Sequence, residues 1–272
     1  MIIGIIGIGF VGSAMMQSFI KRGYELNRSL FVYDKYKEEY KTNNGINTLL
    51  HTDIIFIALP TLFDENTKSY NLTELEETLN KLEKMSYSGA IVIKSTLEPT
   101  TCDTLSITHK LNIIHNPEFL TARTAFDDFH NQKHIVLGKT KKCDVDVFMN
   151  VYNFYKKNYV DAQISICNTT ESESMKIFLN SFYGVKVQFF TELYLLCDKL
   201  NISYTTVREL MLKNGWINPM HTIIPGPDGN ISYGGMCFPK DTNALLNFMI
   251  KNDSPHDVID STIKERNTMR KD

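Results

Sequence analysis

Through residue 168 the chain alternates short apolar runs with longer stretches of mixed polarity. The runs fall at residues 2–6, 29–34, 53–59, 90–94, 112–115, 134–138 and 163–167. Short continuous apolar segments are what the central strands of a parallel sheet present, because both their faces are covered. The stretches between them predict helices. One runs from the end of Gly7-Ile8-Gly9-Phe10-Val11-Gly12 to about Arg22, with Gly23 as its stop. A second follows a capping-box pattern at Asn71-Leu72-Thr73-Glu74 and reaches about Met85, and a third covers residues 142–157. Strands alternating with helices predict a doubly wound, Rossmann-like α/β sheet. Ligands of such sheets bind beyond the carboxyl ends of the strands. That rim carries Gly9, Asp34, Thr61, Thr96 and Glu118.

After residue 168 the pattern changes period. A second capping-box pattern, Thr170-Glu171-Ser172-Glu173, precedes Met175, Phe178, Phe182, Val185, Phe189, Leu193, Leu196 and Leu200, spaced three or four apart. They mark one face of a helix about 30 residues and about 45 Å long. So large an apolar face asks for cover, and a homodimer built on it is expected. Lys176 and Asn180 stand one turn apart, off that stripe. Such a pair is either solvated or directed at a ligand. The expected organisation is a sheet domain over 1–168 and a helical domain over 169–272 built on one long helix.

Composition narrows the function. Twenty-nine Lys and Arg against 31 Asp and Glu give a net charge of −2, which argues against nucleic acid as a partner. Hydrophobic content of 43% with 22% charged residues is that of a globular chain. Residues 1–20 carry no charge and could imitate a membrane span, but four glycines lie inside them and no basic residue precedes the run. A strand, a turn and a helix start are expected there instead, with no membrane association. The five cysteines are odd in number and none is CxxC-spaced, so neither a disulfide framework nor a metal site is expected, and a reducing cytoplasm is.

Two segments carry chemistry. In the GxGxxG turn, Gly7 permits the tight bend, Gly9 lets a pyrophosphate approach the backbone, and Gly12 allows close packing of the following helix. The helix start offers N–H groups to the phosphates. Asp34, 22 residues after Gly12 at the end of the next run, is placed to accept ribose hydroxyls and to repel a 2′-phosphate, which favours NAD. The second segment is the proline- and glycine-rich stretch 215–241, expected to be loop, containing Tyr233-Gly234-Gly235-Met236-Cys237-Phe238-Pro239-Lys240-Asp241. A thiol followed by a lysine and a carboxylate is a candidate nucleophile. Cys102, Cys143, Cys167 and Cys197 are expected to be core thiols.

GIGFVG at 7–12, KST at 94–96, NPEFL at 116–120, KIFLN at 176–180 and GGMCFPKD at 234–241 occur in this order. Together they resemble the UDP-glucose/GDP-mannose dehydrogenase family over the chain to about Arg270. The resemblance implies NAD-dependent oxidation of a nucleotide-sugar primary alcohol, UDP-glucose foremost, to the carboxylate. It implies Cys237 as nucleophile, Lys176 and Asn180 at the oxyanion, Asp241 and Thr96 at a water, and Glu118 as acid/base. Gly7, Gly9, Phe10, Val11, Gly12, Asp34, Pro60, Thr61 and Thr96 would hold the cofactor. Glu118, Phe119, Leu120, Lys176, Asn180, Tyr233, Gly234 and Phe238 would hold the substrate. Ala122 stands where the family usually has a second glutamate, and 218–221 holds no arginine of the kind that reaches a neighbouring subunit. Residues 257–272 resemble the start of a linking helix to a third domain, which is expected to be missing. A β-hydroxyacid dehydrogenase shares the dinucleotide domain, the long helix and the Lys–Asn pair but has no use for Cys237 or Glu118. A non-catalytic binding module needs no nucleophile at all.

Overall fold

The computed structural model describes residues 1–41 and 45–272. In chain order its elements are β1 (Ile3–Ile6), α1 (Phe10–Lys21), β2 (Leu30–Tyr33), β3 (Ile54–Ile57), β4 (Phe63–Asp64), β5 (Ser69–Tyr70), α2 (Thr73–Lys84), β6 (Ala90–Ile93), α3 (Thr101–His109), β7 (Asn112–His115), α4 (Ala125–His130), β8 (His134–Lys139), α5 (Val145–Asn158), β9 (Gln163–Asn168), α6 (Thr169–Lys199), α7 (Tyr204–Lys213), α8 (Phe238–Lys251) and α9 (Asp257–Met269). They divide into two units: Met1–Thr61 with Asn71–Lys176, and Leu62–Tyr70 with Ile177–Asp272.

The first unit holds a sheet in the order β2-β1-β3-β6-β7-β8-β9. Every position of β1, β3 and β6 is buried, as their unbroken apolar runs require. Alternate residues feed two cores. Ile54 and Phe56 pack with Phe19 of α1 and Phe154 of α5, whereas Ile55 and Ile57 pack with Leu75 and Leu79 of α2 and Leu105 of α3. The strands β2, β1, β3, β6 and β7 are mutually parallel. Strand β8 runs antiparallel to β7, and β9 is parallel to β8, so the parallel sheet gains a reversed pair at one edge. An antiparallel neighbour starts at the end where its partner stops. The whole connection 116–133 therefore belongs to the carboxyl rim of the parallel strands. Residues 1–20 form β1, a turn and most of α1, and among the described residues no helix is long and apolar enough to cross a membrane.

Helix starts differ in detail from the sequence patterns. Asn71 Oδ1 accepts only the N–H of Thr73, and Leu72 at the N-cap of α2 has no side-chain cap, so no reciprocal box forms. The box at α6 lies two residues earlier than expected: Asn168 Oδ1 accepts Glu171 N–H and Glu171 Oε2 accepts Asn168 N–H, each at 2.9 Å. Helix α5 begins at Val145, because Asp144 accepts the N–H groups of Asp146 and Val147. Cys102, Cys143 and Cys197 are core thiols, whereas Cys167 is half-buried, since it lies on the edge strand β9.

The second unit contains the rest of α6, helices α7 to α9 and an antiparallel hairpin, β4 with β5, in which Phe63 pairs with Tyr70. That hairpin packs on α8. A small core forms around Phe190, Cys197, Tyr204 and Ile224. The apolar stripe of α6 faces outward: Phe178, Phe182, Phe189 and Leu196, with Leu200 just past the helix end, are 50–58% exposed. The helix instead buries Ile177, Asn180, Ser181, Gln188, Phe190 and Thr191. The polar members of that face are satisfied, Gln188 by Glu265 and Ser232, and Thr191 by the N–H of Ser232, so their burial is tolerated.

Candidate active site

The glycine turn lies between β1 and α1. Gly7 has φ +85°, and a Cβ there would stand 2.6 Å from the Ala58 carbonyl oxygen. A Cβ on Gly12 would stand 1.9 Å from the Gly7 carbonyl oxygen, so Gly12 is required for the turn itself to close. Around Gly9 there is open space, and no side chain caps the start of α1. The turn thus leaves helix N–H groups open to a phosphate. Phe10 is exposed and Val11 half-buried. Asp34 Oδ2 accepts the N–H of Ile8 at 2.7 Å, and Oδ1 accepts those of Tyr36 and Lys37. Burial acts to raise its pKa, but these N–H groups and the Lys37 charge outweigh it and hold the carboxyl below its ordinary value. Three of about four acceptor sites are used, which leaves capacity for a ribose hydroxyl.

A cavity of about 470 Å³ in front of this turn is lined by Gly9, Phe10, Ser13, Gln17, Lys37, Ala122 and Arg123, among others. Lys37 and Arg123 escaped the sequence reading. Their signal was a basic residue three after the strand-end acid, and another just beyond NPEFL. Exposed Pro60 and buried Thr61 end the β3 segment, where Thr61 Oγ1 donates to the Thr96 carbonyl at 2.7 Å. Ser95 Oγ likewise donates to the Leu59 carbonyl at 2.6 Å.

The KST and NPEFL segments meet the start of α6 in the same unit. Glu118 Oε1 lies 3.4 Å from Lys176 Nζ, and both side chains are largely buried. The other Glu118 oxygen accepts the N–H of Leu120. The Lys176 ammonium lies 5.4 Å from the centre of the Phe119 ring, which stacks on His134 and is 39% exposed. Leu120 is half-buried. Behind them, Lys94 Nζ donates to Asn116 Oδ1 at 2.7 Å and to the Pro117 carbonyl at 3.4 Å. Tyr155 Oη donates to the same Asn116 oxygen, and Asn116 Nδ2 donates to the Val136 carbonyl. His115 is fully buried, and burial pushes its pKa down to about 3. Its neutral ring donates from Nε2 to the Ser95 carbonyl and accepts the Ser172 hydroxyl at Nδ1.

In the second unit Cys237 occupies the N-cap of α8 and is exposed, so the expected loop ends in a helix inside the motif. Pro239 does not prevent this, since a first-turn proline lacks only an N–H that the helix leaves unused. Asp241, one turn on, is fully buried. Its Oδ1 accepts Tyr70 Oη and Lys240 Nζ, both at 2.5 Å, and its Oδ2 accepts Asn180 Nδ2 at 2.6 Å. Asn180 and Asp241 are thus brought together, and Tyr70 joins them from a hairpin that the alternation did not announce. Phe238 packs with Tyr183 and His221. Tyr233 is buried, its hydroxyl beside that of Thr242, and the Arg270 guanidinium lies over Gly234. Among the described residues no cluster of His, Cys, Asp or Glu could hold a metal ion.

Residues 24–156 match the model of the NAD-binding domain of the UDP-glucose/GDP-mannose dehydrogenase family, and residues 170–268 match that of its central domain. A UDP-glucose 6-dehydrogenase of Campylobacter jejuni is 27% identical over 98% of this chain and 72% of its own length. One of Rickettsia bellii is 29% identical over 96% of this chain and 64% of its own. Several other curated relatives are spanned over only about half their length, 53% for that of Rickettsia felis. Among solved structures, a UDP-glucose dehydrogenase of Pyrobaculum islandicum superposes with a TM-score of 0.84 at 21% identity, covering 98% of this chain and 68% of that one. A 3-hydroxyisobutyrate dehydrogenase of Mycobacterium tuberculosis superposes with a TM-score of 0.72 at 12% identity, covering 98% and 94%. At these identities the structures speak for the fold.

Proposed function

Because the chain belongs to the UDP-glucose/GDP-mannose dehydrogenase family, we infer that it oxidises the primary alcohol of a nucleotide sugar, UDP-glucose foremost, to the carboxylate with two equivalents of NAD. The observation that carries this is the second-unit set: a thiol at the N-cap of a 14-residue helix, one turn from a buried carboxylate tied to Asn180. The open glycine turn and the uncapped start of α1 fit the cofactor, with Asp34 for its ribose. Bound NAD supplies the hydride acceptor for both oxidations.

The first oxidation leaves an aldehyde. Cys237 Sγ adds to its carbon, and the carbonyl oxygen becomes an alkoxide that takes up a proton. Lys176, with Asn180 beside it, stabilises that oxygen. Loss of a second hydride from that carbon, with loss of the proton from its hydroxyl, converts the thiohemiacetal to a thioester. A water held by Asp241 and Thr96 attacks it, the carbon–sulfur bond breaks, and Glu118 moves the proton between water and thiolate. Asn180 also orients Asp241 by donating to it. Phe119, Leu120, Tyr233, Gly234 and Phe238 serve the substrate pocket. The exposed apolar face of α6 supports a homodimer, and a reducing cytoplasm suits the reactive thiol.

One other reading is a β-hydroxyacid dehydrogenase-like single oxidation assisted by Lys176, which uses the glycine turn, the long helix and the Lys176–Asn180 pair but not Cys237 or Glu118. Stoichiometry separates the two. Two NADH per UDP-glucose, with a carboxylate product by mass, supports the double oxidation; one NADH supports the single. NAD binding without turnover on any UDP- or GDP-sugar marks a binding module. Cys237→Ser is expected to abolish carboxylate formation, and undiminished UDP-glucuronate from that variant overturns the mechanism.

A further inference from the structure

Lys94 opens the KST motif, and the chemistry above leaves that lysine unused. It is 2% exposed. Its ammonium group meets two neutral acceptors, Asn116 Oδ1 and the Pro117 carbonyl, and lies 5.7 Å from the centre of the Phe129 ring. Among the described residues no carboxylate lies within ion-pair distance of it, so a buried cation is held without direct neutralisation. Such a group is costly unless its environment uses it. The two acceptors are the first two residues of the Asn116-Pro117-Glu118 turn, whose third residue pairs with Lys176 at 3.4 Å.

We propose, resting on the dehydrogenase reading, that Lys94 is a positioning residue: it pins the turn that carries Glu118 and so holds that carboxylate against Lys176. The groups facing it are few. Glu118 from the turn attracts its proton, and Lys176 from α6 repels it. His115 at the end of β7 is neutral, and Tyr155 of α5 is kept in its neutral phenol form by burial. Phe129 of α4 offers only a ring face. Burial, opposed by Glu118 and reinforced by Lys176, brings the Lys94 pKa down to about 7. Its charge therefore changes near neutral pH.

Two variants separate hydrogen bond from charge. Lys94→Gln keeps an N–H donor for Asn116 and removes the charge, whereas Lys94→Met removes both. For NADH formation from UDP-glucose, the kcat profile of wild type is expected to change slope near pH 7, and both variants are expected to lose that feature. In Lys94→Met, kcat is expected to fall about tenfold or more while KM for the nucleotide sugar stays within about twofold. A pH profile identical to wild type in both variants overturns the proposal. A second measurement needs no substrate. An unfolded lysine titrates near pH 10.4, so wild type should gain stability relative to Lys94→Gln as pH rises from about 7 toward 10. Parallel curves overturn the proposal whatever the activity. Wild type that shows this divergence but oxidises no nucleotide sugar overturns the functional reading, and leaves the buried, titrating lysine standing.

Discussion

The Glu173 carboxylate is fully buried and accepts the N–H of Thr100 with one oxygen and that of Cys102 with the other, both at 2.7 Å, so it caps the start of α3 from another helix. Burial raises its pKa more than those N–H groups lower it, to about 7. In an unfolded chain the group titrates near 4.3. Between these values the folded state retains a proton that the unfolded state releases. The stability this confers is complete below about pH 4.3 and is lost as pH rises through about 7. Glu173→Gln is expected to flatten that slope. It should also lower stability at pH 5 by about 1–3 kcal/mol, because the amide presents a donor to one of the two N–H groups. Thermal unfolding of both proteins from pH 4 to 8 checks this, and parallel curves refute it. At Gly12 the constraint is steric: with a Cβ 1.9 Å from the Gly7 carbonyl oxygen, Gly12→Ala must open the turn. NAD affinity by calorimetry is expected to drop about tenfold or more, since phosphate contact depends on that turn; unchanged affinity would show that the turn does not bind the cofactor.

At the level of elements, α8 is held to the β4–β5 hairpin through Asp241, whose carboxylate accepts Tyr70 from β5 and Asn180 from α6. Removing the Tyr70 hydroxyl leaves Lys240 and Asn180 on Asp241 but loses a bond to a charged acceptor. Tyr70→Phe is expected to cost about 1.5–3 kcal/mol, read as a lower midpoint in denaturant unfolding, with a lowered kcat if Asp241 holds the attacking water. An unchanged midpoint would show that the hairpin is not anchored by this bond. The seven strands of the main sheet could be read in advance because apolar runs buried on both faces have no other common use. The hairpin could not, since Phe63-Asp64 and Ser69-Tyr70 are too short to alternate. Nor could the reversal of β8, because an apolar run has the same pattern in either direction. The candidate residues were more legible than their surroundings. Cys237, Asp241, Lys176 and Glu118 stood in recognisable motifs. Tyr70, which donates to Asp241, and Tyr155, which donates to Asn116 of NPEFL, stood in none and meet those residues only through the fold, at sequence separations such as the 171 residues between Tyr70 and Asp241.

For the molecule as a whole, the proposed homodimer rests on the face of α6 that is left exposed. Phe178, Phe182, Phe189, Leu196 and Leu200 share it, each at least half exposed, while Met175, Val185 and Leu193 along the same stripe are half-buried. Scattered apolar residues on a surface need no explanation, but a contiguous helical stripe of phenylalanines and leucines marks an interaction surface. A second copy of the same helix offers a matching apolar face, and a two-fold interface needs only one self-complementary patch. Burying each phenylalanine would contribute about 1.5–3 kcal/mol, so removing two of them from both partners should be decisive. Light scattering on wild type should give twice the 31.3 kDa chain mass. Phe182→Glu combined with Phe189→Glu should give the single-chain mass with unchanged helical circular dichroism. Those two positions lie on the outward face, so the small core around Phe190, Cys197 and Tyr204 keeps its packing. A wild-type monomer, or a double variant that remains dimeric, would move the subunit contact away from α6. Loss of carboxylate formation in the folded monomer would further show that a second subunit completes the site.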